Sequence, residues 1–219
     1  MKLLAVTNDR LPVRQLAQGI CQMNEMVDYI HIREKSKSIS DIILLIKLLE
    51  QEIDKKKLVI HDRLDLALLY NIPTIHLPSY GLPVKRVRKQ YPSLRIGRSV
   101  HSLDEAIQAE KDGANYVLYG HLFKTNSKFG QPPRGVAELT KIKRMLHIPV
   151  YGIGGITANN LKEIKNTNLD GVAVMSGIFD EINPQEEAAA YYKACREVSR
   201  NDDSTEWQKC YSTRASSFD

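Results

Sequence analysis

The sequence contains little cysteine, and its three thiols lie far apart, at Cys21, Cys195 and Cys210. An odd number of cysteines without Cys-x-x-Cys spacing does not indicate a disulfide framework, so a reducing compartment is expected. The apolar run at residues 3–6 is too short for a secretory signal, and no stretch approaches the roughly 18 apolar residues of a membrane helix. These absences predict a cytoplasmic protein without a membrane partner.

Several familiar functional motifs are also missing. The sequence has no Gly-x-Gly-x-x-Gly turn after its first apolar segment, no Gly-x-Ser-x-Gly elbow and no zinc-type spacing of histidine and cysteine. No basic stripe with interleaved aromatic residues is present, which argues against a nucleic-acid partner. The sequence therefore predicts no metal site. The formal net charge of +5 still suits a small anionic ligand such as a phosphorylated metabolite.

Short apolar segments alternate with helical patterns along most of the chain. Alternating strands and helices predict parallel strands, arranged either as a closed barrel or as an open doubly wound sheet. Eight strands and the missing dinucleotide turn favour a single (β/α)8 TIM barrel over residues 1–200. Residues 201–219 are polar and aperiodic, and we interpret them as a mobile or surface-packed extension. The predicted strands are 3–7, 29–32, 58–60, 74–77, 95–97, 116–119, 150–153 and 171–174.

Glycine-rich turns follow the last two predicted strands, as Gly154-Gly155 and Ser176-Gly177. Glycine lets the backbone approach a ligand closely, and free N–H groups at a helix start bind anions. The loops after strands seven and eight are where β/α barrels commonly bind phosphate. Two ordinary tight turns are the alternative, but their position favours a phosphate site.

Charged residues follow the second and third strands. Strand alternation puts His31, Arg33 and Lys35 on one side, where the two cations would bind a second anionic group or simply form a solvated charge run. Asp62, after the third strand, is either a metal ligand or the N-cap of the next helix, and its local sequence favours the cap.

His121 stands just beyond the sixth strand, at the end of the barrel where chemistry is expected. Its imidazole can exchange protons near neutral pH, so we predict a general acid/base rather than a structural histidine. Thr125, Ser127 and Lys128 in the same loop are predicted to close over the ligand.

Taken in order, these segments resemble the thiamin phosphate synthase superfamily over about the first 180 residues. This resemblance implies a barrel that binds a phosphorylated thiazole. It rests on residues 31–35 (His-Ile-Arg-Glu-Lys), 61–63 (His-Asp-Arg), 75–77 (Ile-His-Leu), 96–101 (Ile-Gly-Arg-Ser-Val-His), 116–120 (Tyr-Val-Leu-Tyr-Gly), 125–128 (Thr-Asn-Ser-Lys) and 152–156 (Gly-Ile-Gly-Gly-Ile).

The chain departs from the synthase pattern at several of these positions. His31 replaces a Gln, His61 replaces an Asn that helps to hold the pyrimidine, and residues 78–81 lack a magnesium-binding carboxylate. His121 stands where the synthases have Pro. This combination resembles the thiazole tautomerase branch of the family, and it implies a cofactor-independent isomerase that converts a thiazole carboxylate phosphate to its aromatic tautomer. The alternatives are a synthase-like transferase and a non-catalytic thiazole phosphate-binding regulatory protein; a homodimer is possible in each case.

Overall fold

The computed structural model describes residues 1–125, 128 and 130–198. Eight strands pair in sequence order, all in parallel, and β8 pairs with β1 to close a barrel. The single (β/α)8 barrel predicted from the sequence is therefore confirmed. The strands are β1 Lys2–Val6, β2 Tyr29–Ile32, β3 Leu58–His61, β4 Thr74–Leu77, β5 Arg95–Val100, β6 Tyr116–Gly120, β7 Val150–Ile153 and β8 Gly171–Val174.

Helices follow the strands on the outside of the barrel. A 3-10 helix at Leu161–Thr167 joins β7 to β8 in place of a regular α-helix. The α-helices are α1 Val13–Met23, α2 Ile39–Leu49, α3 Leu64–Leu69, α4 Val84–Gln90, α5 Leu103–Lys111, α6 Val136–Met145, α7 Ser176–Phe179 and a last helix, α8, described over 184–198.

Both faces of the barrel strands are buried. In β1, Leu3 and Ala5 pack in the large core beneath the helices, whereas Leu4 and Val6 belong to a separate cluster with Tyr116. Because successive strand residues point to opposite faces, this division places Leu4 and Val6 inside the barrel. A strand buried on both faces needs a continuous apolar run, which explains why the strand segments read as apolar blocks.

In α2, Ile42, Leu45, Ile46 and Leu49 are all buried, at the spacing of an amphipathic helix that packs one face against the barrel. Ser38 begins this helix with a reciprocal capping box to Asp41, which fixes the start of the helix directly after the loop from β2. The prediction for β5 was too short, because the strand continues through polar residues to Val100.

No helix within the described ranges is long and apolar enough to cross a membrane. The extension predicted at residues 201–219, including Cys210, lies outside the described residues.

Candidate functional site

A pocket of about 600 Å³ opens at the carboxyl ends of the barrel strands. Its volume is in the range of small-molecule sites. Among the residues that line it are the predicted Arg33, Lys35, His121, Thr125, Lys128, Gly154, Gly155, Ser176 and Gly177. Ser127, predicted with them, lies outside the described residues. The structure thus brings the predicted residues together, while their individual roles remain predictions.

The glycine-lined wall of the pocket has a backbone that only glycine fits. Gly154 and Gly155 have φ angles of 98° and 66°, in the region that other residues rarely adopt. A Cβ on Gly154 would lie 2.5 Å from the Cβ of His121, and one on Gly155 would lie 2.8 Å from the carbonyl carbon of Phe123. The absence of side chains therefore lets two chain segments meet and leaves backbone exposed to a ligand.

The sequence predicts a helix after Thr157, but no α-helix directly follows the glycine turn. Residues 157–160 form a turn, in which the Thr157 N–H donates to Asn160 Oδ1 at 2.8 Å, and the 3-10 helix begins only at Leu161. Asn160 Nδ2 also donates to the carbonyl of Gly155 at 2.9 Å. An anion at this wall would therefore depend on backbone N–H groups of the turn and on the first N–H groups of α7, which have no intrahelical partners.

A cationic wall faces the glycines from the other side of the barrel mouth. Arg33 and Lys35 follow β2, and Arg63 follows β3, which is diametrically opposite β7 in an eight-stranded barrel. Lys35 Nζ donates to the Tyr80 hydroxyl at 2.7 Å, and Arg63 forms a bidentate salt bridge with Asp65. One wall of the pocket therefore carries cationic side chains, and the opposite wall is backbone without side chains.

Asp62 is not the N-cap that its local sequence favoured. Arg63 occupies that position, with no side-chain cap hydrogen bond, and Asp62 instead has a φ of 59° and lines the pocket. The other carboxylate among the described lining residues is the buried Glu34, which lies 2.6 Å from Lys37 Nζ and accepts from the Asp9 N–H. Asp62 is therefore the carboxylate that suits a Mg²⁺ ion, because such ions are usually held by one or two carboxylates together with substrate phosphates.

His121 is buried beside Gly154, and its Nε2 lies 3.4 Å from the carbonyl of Gln131. The backbone carbonyl of His121 accepts from the Arg134 N–H at 3.0 Å, which joins the start of the loop after β6 to its end. The imidazole lines the same pocket as Gly154 and Gly155.

Three histidines that the sequence analysis did not group together meet inside the barrel. His31, His61 and His76 come from the consecutive strands β2, β3 and β4, and each offers a ring nitrogen within 4.8 Å of the other two. His61 and His76 are direct register partners, so their side chains share a face. The available signal was their common position at the ends of three neighbouring strands, which spacing rules for zinc motifs do not detect.

Burial controls the protonation of these imidazoles. Desolvation lowers the pKa of His31 and of His61 well below the usual value, and it lowers the pKa of His76 to about 3. Neighbouring positive charges act in the same direction; for His76 the charge is that of Arg98. All three rings are therefore neutral at pH 7, and each has one nitrogen free of a proton.

Comparison with known proteins gives a consistent set of relatives. A family model described as thiamine monophosphate synthase matches residues 3–178. The chain is 39% identical over 180 residues to a thiamine-phosphate synthase of Desulfitobacterium hafniense, covering 80% of this chain and 84% of that protein. It is 35% identical over 173 residues to the thiamine-phosphate synthase of Clostridium tetani, covering 78% of this chain and 79% of that protein. The solved structure of a thiamine phosphate pyrophosphorylase from Pyrococcus furiosus superposes with a TM-score of 0.78 at 28% identity, covering 90% of this chain and 96% of that one.

These relatives correct the enzyme class predicted from the sequence. The curated relatives are named thiamine-phosphate synthases, which are transferases, so the predicted isomerase class is wrong. His121 in place of Pro and the missing carboxylate indicated an isomerase, but a few changed positions do not define the class of a barrel whose pattern is otherwise shared.

Proposed function

Since the chain belongs to the thiamine monophosphate synthase family, we propose that it is a thiamine-phosphate synthase-type transferase. Its substrates would be a thiazole that carries a phosphate and a pyrimidine that carries a diphosphate. The reaction forms a bond between the pyrimidine methylene carbon and the thiazole nitrogen, breaks the bond from that carbon to oxygen, and releases diphosphate.

The proposal rests on one observation, which is that glycine-rich backbone and cationic side chains lie on opposite sides of one pocket. The backbone at Gly154, Gly155, Ser176 and Gly177 suits a terminal phosphate, and Arg33 and Lys35 suit a more highly charged diphosphate. A barrel mouth that holds two anionic substrates at once fits a reaction that joins them. Holding both reactants in one site replaces a bimolecular encounter with an effectively unimolecular step.

Each wall has a distinct part in the proposed reaction. Charge accumulates on the diphosphate as its bond to carbon breaks, and the cationic wall stabilises that charge where it develops. Asp62 would hold a Mg²⁺ ion together with the diphosphate, and such an ion would supply further charge neutralisation. His121 lies beside Gly154, and we assign it to binding of the thiazole phosphate rather than to proton transfer.

A second candidate is a thiazole phosphate-binding protein without turnover. One observation favours it: of the two carboxylates in the described pocket wall, Glu34 is already paired with Lys37, so only Asp62 remains for a metal ion. The two candidates make different predictions for the same assay.

The test is to incubate the purified full-length protein with thiazole phosphate, pyrimidine diphosphate and Mg²⁺, and to measure thiamine phosphate and released diphosphate together. We expect both products in equal amounts, with each depending on both substrates. Thiazole phosphate binding without either product would support the binding protein. Turnover of a thiazole substrate alone, without diphosphate release, would contradict both candidates.

Lys35→Ala tests the cationic wall directly. Loss of one charge-assisted contact to diphosphate, about 1.5–3 kcal/mol, should raise the KM for pyrimidine diphosphate by roughly 10–150-fold and leave the KM for thiazole phosphate nearly unchanged. Lys47→Ala on the exposed face of α2 is the matched control, because it removes the same charge away from the pocket. An equal rise in both KM values for Lys35→Ala would argue against separate walls.

A further inference from the structure

We propose that His31, His61 and His76 form a binding site for a transition-metal ion such as Zn²⁺ or Co²⁺, inside the barrel and reached from the pocket at His61. The site adjoins the cationic wall, because His61 directly precedes Asp62 and Arg63, and it goes beyond the proposed transferase reaction. Imidazole nitrogen suits Zn²⁺, Co²⁺, Ni²⁺ and Cu²⁺, whereas Mg²⁺ prefers oxygen ligands.

The geometry of the three rings supports this proposal. The ligand nitrogens of all three residues lie within 4.8 Å of one another. His31 Nδ1 and His61 Nε2 share a hydrogen bond at 2.9 Å, and a metal ion would take the place of its proton. Three nitrogens bound at 2.0–2.1 Å around a tetrahedral ion lie about 3.3 Å apart, so modest side-chain rotations would complete the site. Three rigid parallel strands carry these side chains, which keeps them in register.

The surroundings of the rings also fit a metal ion. His31 and His76 are buried, and burial disfavours the charged imidazolium, which cannot bind a metal ion. His76 has an oriented outer partner as well, since its Nδ1 lies 3.2 Å from the Tyr116 hydroxyl. A hydrogen bond from the second ring nitrogen typically fixes the ring of a metal-ligating histidine.

The pocket provides both an entry path and an open coordination position. His61 and Ser99 line it, and Ser99 Oγ lies 2.8 Å from His76 Nε2. Three protein ligands with a fourth position open to a pocket are typical of catalytic rather than structural zinc.

The charges that surround the cluster determine its fourth ligand. Arg95 faces His31, Arg33 and Lys35 face His61, and Arg98 faces His76, and each lowers the pKa of the imidazole beside it. These positive charges disfavour the binding of a dication. We therefore expect an anionic fourth ligand, either hydroxide or a phosphate oxygen, to offset them.

The first experiment titrates Co²⁺ into untagged full-length protein that has been treated with EDTA and desalted, and it follows the visible absorption of the ion. We expect saturation at one ion per chain and displacement of Co²⁺ by Zn²⁺ but not by Mg²⁺. H61N removes one ligand at the least buried of the three positions, and we expect binding at least about 100-fold weaker. H147N is the matched control, because the His147 side chain is 94% exposed and lies outside the cluster. No saturable binding by the wild type at micromolar Co²⁺, or equal binding by H61N, would overturn the proposal.

A second measurement does not depend on the folding of a variant. Anomalous diffraction from a wild-type crystal soaked in Co²⁺ should show a peak about 2 Å from all three imidazoles. A peak found only elsewhere would reject the site.

Discussion

At the scale of single residues, the pocket depends on positions where a side chain is absent. Gly155 adopts a positive φ, and an added methyl group would meet backbone atoms of Phe123 and Lys124, which cannot rotate away as a flexible side chain could. The sequence predicts that Gly154 and Gly155 let the backbone approach a ligand closely. The structure adds a second reason, which is the packing of the β7 turn against the segment after β6.

Gly155→Ala should destabilise the protein by about 1–3 kcal/mol, because it forces an alanine into a left-handed conformation against backbone. Gly19→Ala is the matched control, since Gly19 lies in α1 with nothing within 4 Å of its added Cβ, and there we expect stabilisation of about 0.5–1 kcal/mol. Urea unfolding of both variants measures the difference. Equal stability of the two variants would show that the turn relaxes more freely than the structure indicates.

At the scale of elements, the last described helix, α8, supports the glycine-lined wall. Tyr191 in α8 is buried, and its hydroxyl donates to the carbonyl of Ile156 at 3.0 Å, directly after the glycine turn. Burial raises the pKa of Tyr191 to about 12, so the hydroxyl stays protonated and remains a donor. The same hydroxyl occupies the space that a Cβ on Gly177 would need, which explains why the second residue of α7 is a glycine.

Tyr191→Phe should therefore affect binding as well as stability. Loss of a hydrogen bond worth about 1 kcal/mol frees the Ile156 carbonyl, and we expect the KM for thiazole phosphate to rise about 5-fold while kcat changes less. Tyr192→Phe is the control, because the Tyr192 hydroxyl accepts from Arg196 at the surface, away from the turn. A similar KM in both variants would show that α8 does not position the glycine-lined wall.

At the scale of the whole molecule, stability should depend on alkaline pH through a buried thiol. Cys195 is 1% exposed in α8, and burial raises its pKa to about 11 from an ordinary value of 9.0. A raised pKa in the folded state means that this thiol stabilises the fold fully below pH 9. The stabilisation is lost as the pH rises from 9 towards 11, because the unfolded chain releases the proton first.

Between pH 8 and pH 9.5 the free energy of unfolding should fall by about 1 kcal/mol through this group alone. Cys195→Ala should remove that part of the pH dependence, although it also lowers stability at every pH by loss of packing. Urea midpoints at both pH values, measured with reductant present, give the comparison. An unchanged pH slope in Cys195→Ala would assign the alkaline loss to other groups.

The sequence by itself determined the architecture and the composition of the pocket. Apolar blocks and helical stripes are local patterns, and a closed parallel barrel is one of the few ways to bury strands on both faces. Because the carboxyl ends of parallel strands meet at one rim, residues such as Arg33, His121 and Gly154 could be assigned to one site from their places after strands. The enzyme class could not be obtained in this way, since a few substitutions in that rim were compatible with several reactions.

Only the tertiary structure decided which of those residues face one another. Asp62 was expected to cap a helix, but the left-handed turn at that residue places it in the pocket instead. His31, His61 and His76 lie 15–45 residues apart in sequence and come together only through strand register. Register is set when neighbouring strands bury their apolar faces together, so the juxtaposition of the three histidines exists only in the folded barrel.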